Sequence, residues 1–148
     1  MSAFDALMAF QRETEALSAI AGRLAWDQET VMPRGAAAQR GEERAAIEGV
    51  LHARRVDPRI GEWLDRIDAQ ALEPAGQAAV RLIRRDYDRA TRVPARLAGE
   101  LARVTSLSQG IWAEARRADD FDRFAPALEE VLSLKREEAA AIADGGDP

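Results

Sequence analysis

The sequence LAWDQETVMPRG, at residues 24–35, contains the first strong break in a long helical pattern. Upstream of it, apolar residues recur at alternating spacings of three and four, which is typical of an amphipathic helix packed on another helix. The stripe consists of Leu7, Phe10, Thr14, Leu17, Ala21 and Leu24, and it runs into Trp26. Met32 precedes Pro33, and a residue before proline avoids the helical region. We therefore predict that a first helix ends here and that a second runs from about Arg34 to Arg55.

Further helices are predicted from the signals that begin them, which are N-cap residues and prolines in the first turn. These signals are Ser2 with Asp5 for the first helix, Asp57-Pro58 for the third, Pro74 for the fourth and Pro94 for the fifth. Asp119-Asp120 ends the fifth helix, Phe121 and Phe124 form a turn around Pro126, and Gly145-Gly146 stops a sixth helix. The residues expected to face inward are Ile60, Trp63, Leu64, Ile67, Val80, Ile83, Tyr87, Ala90, Leu97, Leu101, Val104, Leu107, Ile111, Leu128, Val131, Leu132 and Ile142, with Trp112 beside them.

No segment alternates apolar and polar residues with period two, so no sheet is expected. The 148 residues are the size of one domain and are enough to bury a core. The fold class predicted is therefore all-α, an elongated bundle of about six helices arranged as helical hairpins, in a single domain over residues 1–148.

Composition excludes several classes of function. The formal charge of −5, from 26 acidic and 21 basic residues, argues against nucleic acid as a partner, which requires a basic face. The absence of cysteine excludes disulfides and thiolate sites. No secretory signal and no apolar stretch long enough to span a bilayer is visible, so no membrane partner is expected and a cytoplasmic location is the expectation.

The paired acids beside Trp26 have two interpretations. Asp27 and Glu29 are a candidate acid/base pair in an apolar pocket, if the helix unwinds there. In a continuous helix, however, their side chains point about 200° apart. The interpretation that we favour is local, in which the acids accept hydrogen bonds at the start of the second helix or pair with Arg34 or Arg40.

Other candidate chemistry is incomplete. His52 is the only histidine, and a catalytic zinc site needs three protein ligands, so no metal role is assigned to it. Thr105, Ser106 and Ser108 have no base near them in sequence, and there is no glycine-rich phosphate loop. The three tryptophans, Trp26, Trp63 and Trp112, are expected in the core rather than lining a pocket. No catalytic, cofactor-binding or metal-binding residue is therefore predicted in this chain.

A resemblance adds what the residues alone do not provide. Trp26-Asp27-Gln28-Glu29-Thr30, Met32-Pro33 and Gly35-Ala36 resemble the N-terminal signature of the carboxypeptidase Taq family of zinc-dependent metallocarboxypeptidases. Matching residues continue through nearly the whole chain in order. They are Arg40, His52, Asp57-Pro58, Ile60-Gly61, Leu64, Arg84-Arg85-Asp86-Tyr87, Arg89-Ala90, Val93-Pro94, Ser106, Trp112, Ala115-Arg116, Asp120-Phe121, Phe124, Pro126 and Leu128-Glu129.

The resemblance implies an almost wholly helical parent enzyme that removes C-terminal residues from peptides with a metal-activated water and a glutamate base. The family's His-Glu-x-x-His helix lies beyond the region that this chain resembles, so the chain is expected to be an N-terminal part without its own zinc or activity. Zinc or another divalent metal is implied for the parent only. In the parent, this region would pack beside the catalytic helices and form a wall of the groove that admits the peptide substrate.

Two expectations about the surface follow. Trp26 is expected to be largely buried, and apolar residues normally covered by the catalytic part are expected to be exposed and to cause self-association. The residues named for the exposed side are Ile47, Val50, Leu51 and Ile142. The competing interpretation is a stand-alone helical interaction module that binds a partner helix in a groove.

Overall fold

The structure is a computed structural model that describes residues 2–143. The helices are α1 (Ala3–Thr30), α2 (Ala37–Arg55), α3 (Pro58–Arg66), α4 (Pro74–Arg92), α5 (Ala95–Ala118) and α6 (Phe121–Ala143). Short 3-10 turns at Arg34–Ala36 and Ala69–Ala71 precede α2 and α4. Residues 2–143 contain no strand, and the prediction of an all-α fold with about six helices is confirmed. No helix of this part of the chain is both long and apolar enough to cross a membrane.

The helix starts follow the capping signals in the sequence. Ser2 and Asp5 form a reciprocal capping box on α1, in which each satisfies a backbone N–H of the other. The Asp57 carboxylate accepts the N–H of Arg59 at the start of α3, and Pro74 occupies the first turn of α4. The Ser2, Asp5 and Asp57 side chains satisfy N–H groups that have no partner inside their helices, whereas Pro74 has no N–H that needs one, which explains why the starts were predictable.

The turn between α5 and α6 differs in part from the prediction. Asp119 ends α5 in the left-handed conformation, with φ of 52°, as expected for a break at this point. However, α6 begins at Phe121, so the predicted turn around Pro126 is wrong and the proline lies inside the helix. Asp120 accepts the N–H of Arg123, whose guanidinium pairs with Glu114 of α5, and these contacts hold the first turn despite the proline. The predicted stop at Gly145-Gly146 lies outside the described residues.

One end of the molecule is held by a group that we call the aromatic cluster. It joins the first half of α1 to α3 and α4, and its buried residues are Leu7, Phe10, Ile60, Leu64 and Val80. Phe4, Trp63, Ile67, Leu72, Ile83 and Tyr87 pack around them. The Phe10 and Trp63 rings meet edge to face with their centroids 5.7 Å apart, and the Arg54 guanidinium carbon lies 4.0 Å from the Phe10 centroid. This cluster confirms the inward faces predicted for the first, third and fourth helices.

The other main contact is between α2 and α5. Leu51, Leu97, Leu101 and Val104 are buried there. Gly41 lies close to α5, and a Cβ at this position would be 3.5 Å from Arg103 and Leu107. Gly41 is near the start of α2 and lies beside Leu107, which is in the middle of α5. The turns of α5 that follow Leu107 therefore extend past α2 and pack against α6.

Several burial predictions are wrong, for geometric reasons. Trp26 is 63% exposed, because it is two residues, or about 200°, from Leu24 and so lies on the opposite face of α1. Ile111 and Trp112 are exposed because they lie on the part of α5 that α2 does not cover. Leu132 is also exposed, on α6.

The residues predicted to lie on an exposed face also differ. Leu51 was expected there but is 1% exposed, because it packs on α5. Val50, its neighbour, is 48% exposed, as expected. Ile47 and Ile142 are half-buried. The prediction made from the weak apolar stripe of α2 was therefore wrong by one residue in the position of the inner face.

Candidate functional site

The stretch at residues 24–35 forms the corner between α1 and α2. The carbonyl of Asp27 accepts the N–H groups of both Val31 and Met32, which closes the last turn of α1. The Asp27 carboxylate lies 2.5 Å from Nη2 of Arg40 on α2, and Nη1 of Arg40 donates to the Leu24 carbonyl at 2.6 Å. Arg40 thus binds both a side chain and a backbone carbonyl near the C-terminal end of α1.

The electrostatics of this corner fit a structural role. The hydrogen bond to Asp27 is the main cause that raises the pKa of Arg40, and Glu43 contributes through a second hydrogen bond of 2.8 Å. Asp27 therefore has one of the two partners that the sequence suggested. Glu29 is exposed and makes no ion pair within residues 2–143. The two acids do not form an acid/base pair, and the local interpretation is the one that the geometry supports.

Gln28 makes the second link of the corner. Its Nε2 donates to the backbone carbonyl of Ser106 at 2.7 Å, and its Oε1 accepts the Ser106 hydroxyl at 2.8 Å. Ser106 is 1% exposed, so the pair is a reciprocal, buried connection between α1 and α5. Because the hydroxyl donates to an amide, Ser106 has no base as its partner. Sequence reasoning missed Gln28, since a lone glutamine near a helix end has no periodic signal.

We call these contacts, together with the close approach at Gly41, the polar seam. Its members are Asp27 and Gln28 of α1, Arg40 and Gly41 of α2, and Ser106 of α5. Through them the end of α1 is attached to both α2 and α5 by specific partners. The seam fixes how the first hairpin sits on α5, and its polar side chains are engaged in these contacts.

A cavity of about 370 Å³ lies among α2, α4, α5 and α6. His52 lines it and is only 7% exposed. Four cationic side chains, Arg44, Arg55, Arg89 and Lys135, line it as well, with two carboxylates, Glu48 and Glu138. His52 and Thr105, two residues considered as candidates from the sequence, lie here beside other ionisable groups.

A smaller groove of about 260 Å³ lies at the turn between α5 and α6. Its walls include Trp112, Phe121 and Phe124, with Arg116, Asp119 and Asp120 at the edge. Trp112 is 50% and Phe121 65% exposed, so large apolar rings face solvent here. We call this feature the aromatic groove.

Neither surface has the donors of a catalytic metal site. Within residues 2–143, no three His, Cys, Asp or Glu side chains are grouped so that they could hold a metal ion. The single imidazole lies among arginines and a lysine, whose positive charges oppose a bound cation. The residues present therefore do not fit a catalytic zinc, and no reaction step can be assigned to them.

Comparison with known proteins identifies the family. The model of the carboxypeptidase Taq (M32) metallopeptidase family matches residues 6–148. This chain belongs to that family. The resemblance seen in the sequence is confirmed.

Individual relatives agree with the family. "Thermostable carboxypeptidase 1" of Thermus thermophilus is 41% identical over 145 residues, which is 95% of this chain and 28% of that protein. The protein of the same name from Pyrococcus furiosus is 27% identical over 84% of this chain and 25% of its own length. A solved structure described as "The Structure of CHT" superposes with a TM-score of 0.66 at 28% identity, covering 94% of this chain and 28% of that one. The chain thus spans about a quarter of the length of the relatives that it matches.

Proposed function

We propose that residues 1–148 form the N-terminal helical domain of a metal-dependent carboxypeptidase that removes C-terminal residues from peptides. The observation that carries this proposal is the family match over residues 6–148 in a chain whose described residues hold no metal-ligand cluster. Together they favour a structural role for these helices, in support of a catalytic part that holds the metal. The catalytic metal, zinc or another divalent ion, would be held by polypeptide that corresponds to the remaining three quarters of the relatives.

In this proposal the domain forms a wall of the substrate groove. A wall must keep its shape while peptide enters, and binding sites are most precise on rigid elements with locked side chains. The polar seam supplies such rigidity, because Arg40 and Gln28 attach the end of α1 to two other helices through short hydrogen bonds. The aromatic cluster does the same at the opposite end of α1.

The aromatic groove is the surface that we assign to the catalytic part of the larger protein. Trp112, Phe121 and the neighbouring Ile111 expose large apolar side chains within a short stretch of α5 and α6. Monomeric proteins rarely keep such patches uncovered. The occupant proposed is the polypeptide equivalent to the rest of the relatives' length, and self-association of the 148-residue chain through this groove is the expected consequence when that polypeptide is missing.

The experiment begins with the 148-residue chain alone. Elemental analysis after dialysis is expected to find no stoichiometric zinc, and a blocked dipeptide should not be hydrolysed. Mixing the chain with the part of the Thermus thermophilus relative that lies outside the matched region should restore hydrolysis that a chelator abolishes. Tight zinc binding or chelator-sensitive hydrolysis by the chain alone would overturn the proposal of a supporting domain.

A matched pair of variants tests the docking surface. Trp112→Ser with Phe121→Ser should reduce both self-association, measured by sedimentation over a range of concentrations, and the restored hydrolysis. Trp26→Ser is the control, because its indole is equally exposed but does not line the groove. A strictly monomeric chain that never restores hydrolysis would favour the stand-alone interaction module instead.

A further inference from the structure

The cavity among α2, α4, α5 and α6 has a charge that the composition of the chain does not predict. The whole sequence has a formal charge of −5, whereas the ionisable side chains that line the cavity are four cations and two carboxylates. A concave surface of one sign concentrates the field and attracts ions of the opposite sign. The cavity is therefore locally positive in an acidic protein.

Ion pairs within the cavity neutralise part of this positive charge. Nη1 of Arg55 lies 2.7 Å from the Glu48 carboxylate, and Nζ of Lys135 lies 2.8 Å from that of Glu138. Both carboxylates of the lining are thus matched to a cation. Arg44 and Arg89 make no ion pair with any residue of the described chain 2–143. Two guanidinium groups, from α2 and α4, are left to attract an external anion.

His52 adds a hydrogen-bonding group to the same space. The residue is 7% exposed, and no group of residues 2–143 forms a hydrogen bond with its ring. Every fully buried side-chain nitrogen of residues 2–143 has a hydrogen-bond partner. Because the ring nitrogens of His52 have none, they are not fully buried, and they are accessible from the cavity that His52 lines. A neutral imidazole carries one N–H that can donate to an anion.

The remaining wall is mostly apolar, and its one polar residue, Thr105, donates its hydroxyl to the Leu101 carbonyl. Val93, Leu101 and Ile142 line the cavity, with Ala90, Ala98 and Ala102 between them. A volume of about 370 Å³ exceeds what an inorganic ion requires and lies at the lower end of small-molecule sites. The cavity therefore combines a cationic side with an apolar side.

We propose that this cavity binds a small organic anion, whose oxyanion group lies between Arg44 and Arg89 and whose apolar part packs on Leu101 and Ile142. A carboxylate and a phosphate monoester share the required chemistry, since arginine donates paired hydrogen bonds to both. The site does not depend on the proposed function, because it uses no catalytic metal and no residue of the aromatic groove.

Calorimetric titration of the 148-residue chain with three probes tests the proposal. Hexanoate and butyl phosphate present the two oxyanions on similar apolar chains, and hexanamide is the uncharged control. Saturable binding of one or both anions at one site, without binding of hexanamide, is expected, and the tighter anion identifies the preferred head group. Absence of saturable binding by both anions, or equal binding of hexanamide, would overturn the proposal.

Charge variants locate the site. Arg44→Gln with Arg89→Gln should weaken anion binding by about tenfold or more, because hydrogen bonds to charged groups are the stronger class. Arg81→Gln removes the same charge from the same helix as Arg89, at an exposed position outside the cavity, and should leave the affinity unchanged. Equal weakening by Arg81→Gln would show that the attraction is diffuse, and the site would be rejected.

Two more variants keep the test valid if the double variant fails to fold. Arg89→Gln alone changes an exposed side chain and should weaken binding while leaving the thermal midpoint unchanged. Ala102→Leu fills the cavity from its apolar wall and keeps every cation, so it should weaken binding of hexanoate as well. If both folded variants bind the anions as tightly as the parent chain, the cavity is not the binding site.

Discussion

The aromatic cluster and the polar seam hold the two ends of α1 by different means. At the cluster, Leu7 and Phe10 are buried against α3 and α4 by apolar contact. At the seam, Asp27 and Gln28 are held by one charged and one amide partner on α2 and α5. The cluster stabilises through area removed from water, which is non-directional, whereas the seam stabilises only when specific atoms meet.

The two regions therefore contribute differently, one to the stability of the fold and the other to the alignment of α1 on α5. Apolar side chains tolerate small shifts of one helix along another, but the reciprocal bonds between Gln28 and Ser106 allow a single alignment of α1 on α5. Gly41 adds a steric condition, because only a small residue lets α2 approach α5 so closely. We infer that the cluster stabilises its end of α1 through apolar burial and that the seam sets the geometry of the proposed groove wall.

The largest expected effect is at the cluster. Phe10→Ala should reduce the free energy of unfolding by about 3–5 kcal/mol, since it removes a buried ring that contacts Trp63 and Arg54. Phe121→Ala is the matched control, because the same ring is 65% exposed there and its loss should cost about 0.5 kcal/mol or less. Chemical denaturation measures both, and comparable losses would contradict the assignment of the core to the cluster.

A smaller loss is expected at the seam. Ser106→Ala leaves the half-buried Gln28 amide oxygen without its donor, which should cost about 1–3 kcal/mol. Ser108→Ala serves as the control on the same helix, because Ser108 is also a buried residue but makes no hydrogen bond to Gln28. In a double-mutant cycle, Gln28→Leu should cost less in the Ser106→Ala background than in the parent chain, because only the bond to the Ser106 backbone carbonyl is then left to lose. Additive losses would show that the pair is not coupled and that the seam does not fix register.

The cap at the start of α3, a helix of the aromatic cluster, gives a pH-dependent effect. Hydrogen bonds from the Arg59 side chain, and secondarily from its backbone N–H, hold the pKa of Asp57 below its ordinary value of 3.8. A carboxyl whose folded pKa is lowered stabilises fully above its unfolded pKa of about 3.9, and that stabilisation is lost as the pH falls through the folded value. Asp57→Ala should therefore cost about 0.5–2 kcal/mol at neutral pH, and progressively less below pH of about 3.9.

Denaturation of both chains across this pH range checks the prediction for Asp57. Asp65→Ala is the control on α3, because Asp65 forms only an exposed ion pair with Arg84 and caps no helix. Its cost at neutral pH should not exceed about 0.5 kcal/mol. A difference between the parent chain and Asp57→Ala that stays constant down to strongly acidic pH would contradict a cap made by the ionised carboxylate.

The same contrast explains what the sequence could predict. The cluster residues recur with helical period, and the caps at Ser2, Asp57 and Pro74 have short-range signatures, so the helices and one core were predictable. Gln28 finds its partner through a three-dimensional contact with α5, which no local pattern encodes, whereas the pair of Asp27 and Arg40 was one of two that the sequence suggested. The inner face of α2 was misplaced because its alanines fit either side, and Leu51 is buried by α5 rather than by its own periodicity.

The smallest expected effect is at Trp26. The sequence predicted a buried indole, and loss of a buried tryptophan costs about 3–5 kcal/mol. In the structure the side chain is 63% exposed on the face of α1 opposite Leu24, so Trp26→Ala should cost about 0.5 kcal/mol or less. The backbone carbonyl of Trp26 accepts the Thr30 hydroxyl at 2.7 Å, and alanine keeps that bond.

Fluorescence quenching gives an independent readout of the same residue. A soluble quencher should reach Trp26 and Trp112, which are both exposed, more readily than Trp63 in the aromatic cluster. Trp26→Phe should therefore remove a strongly quenched component of the emission without changing the unfolding midpoint. If the variant instead loses several kcal/mol, or if the lost component is protected from the quencher, the indole is packed in solution. The corner between α1 and α2 would then belong with the aromatic cluster, and the contrast between the two ends of α1 would no longer hold.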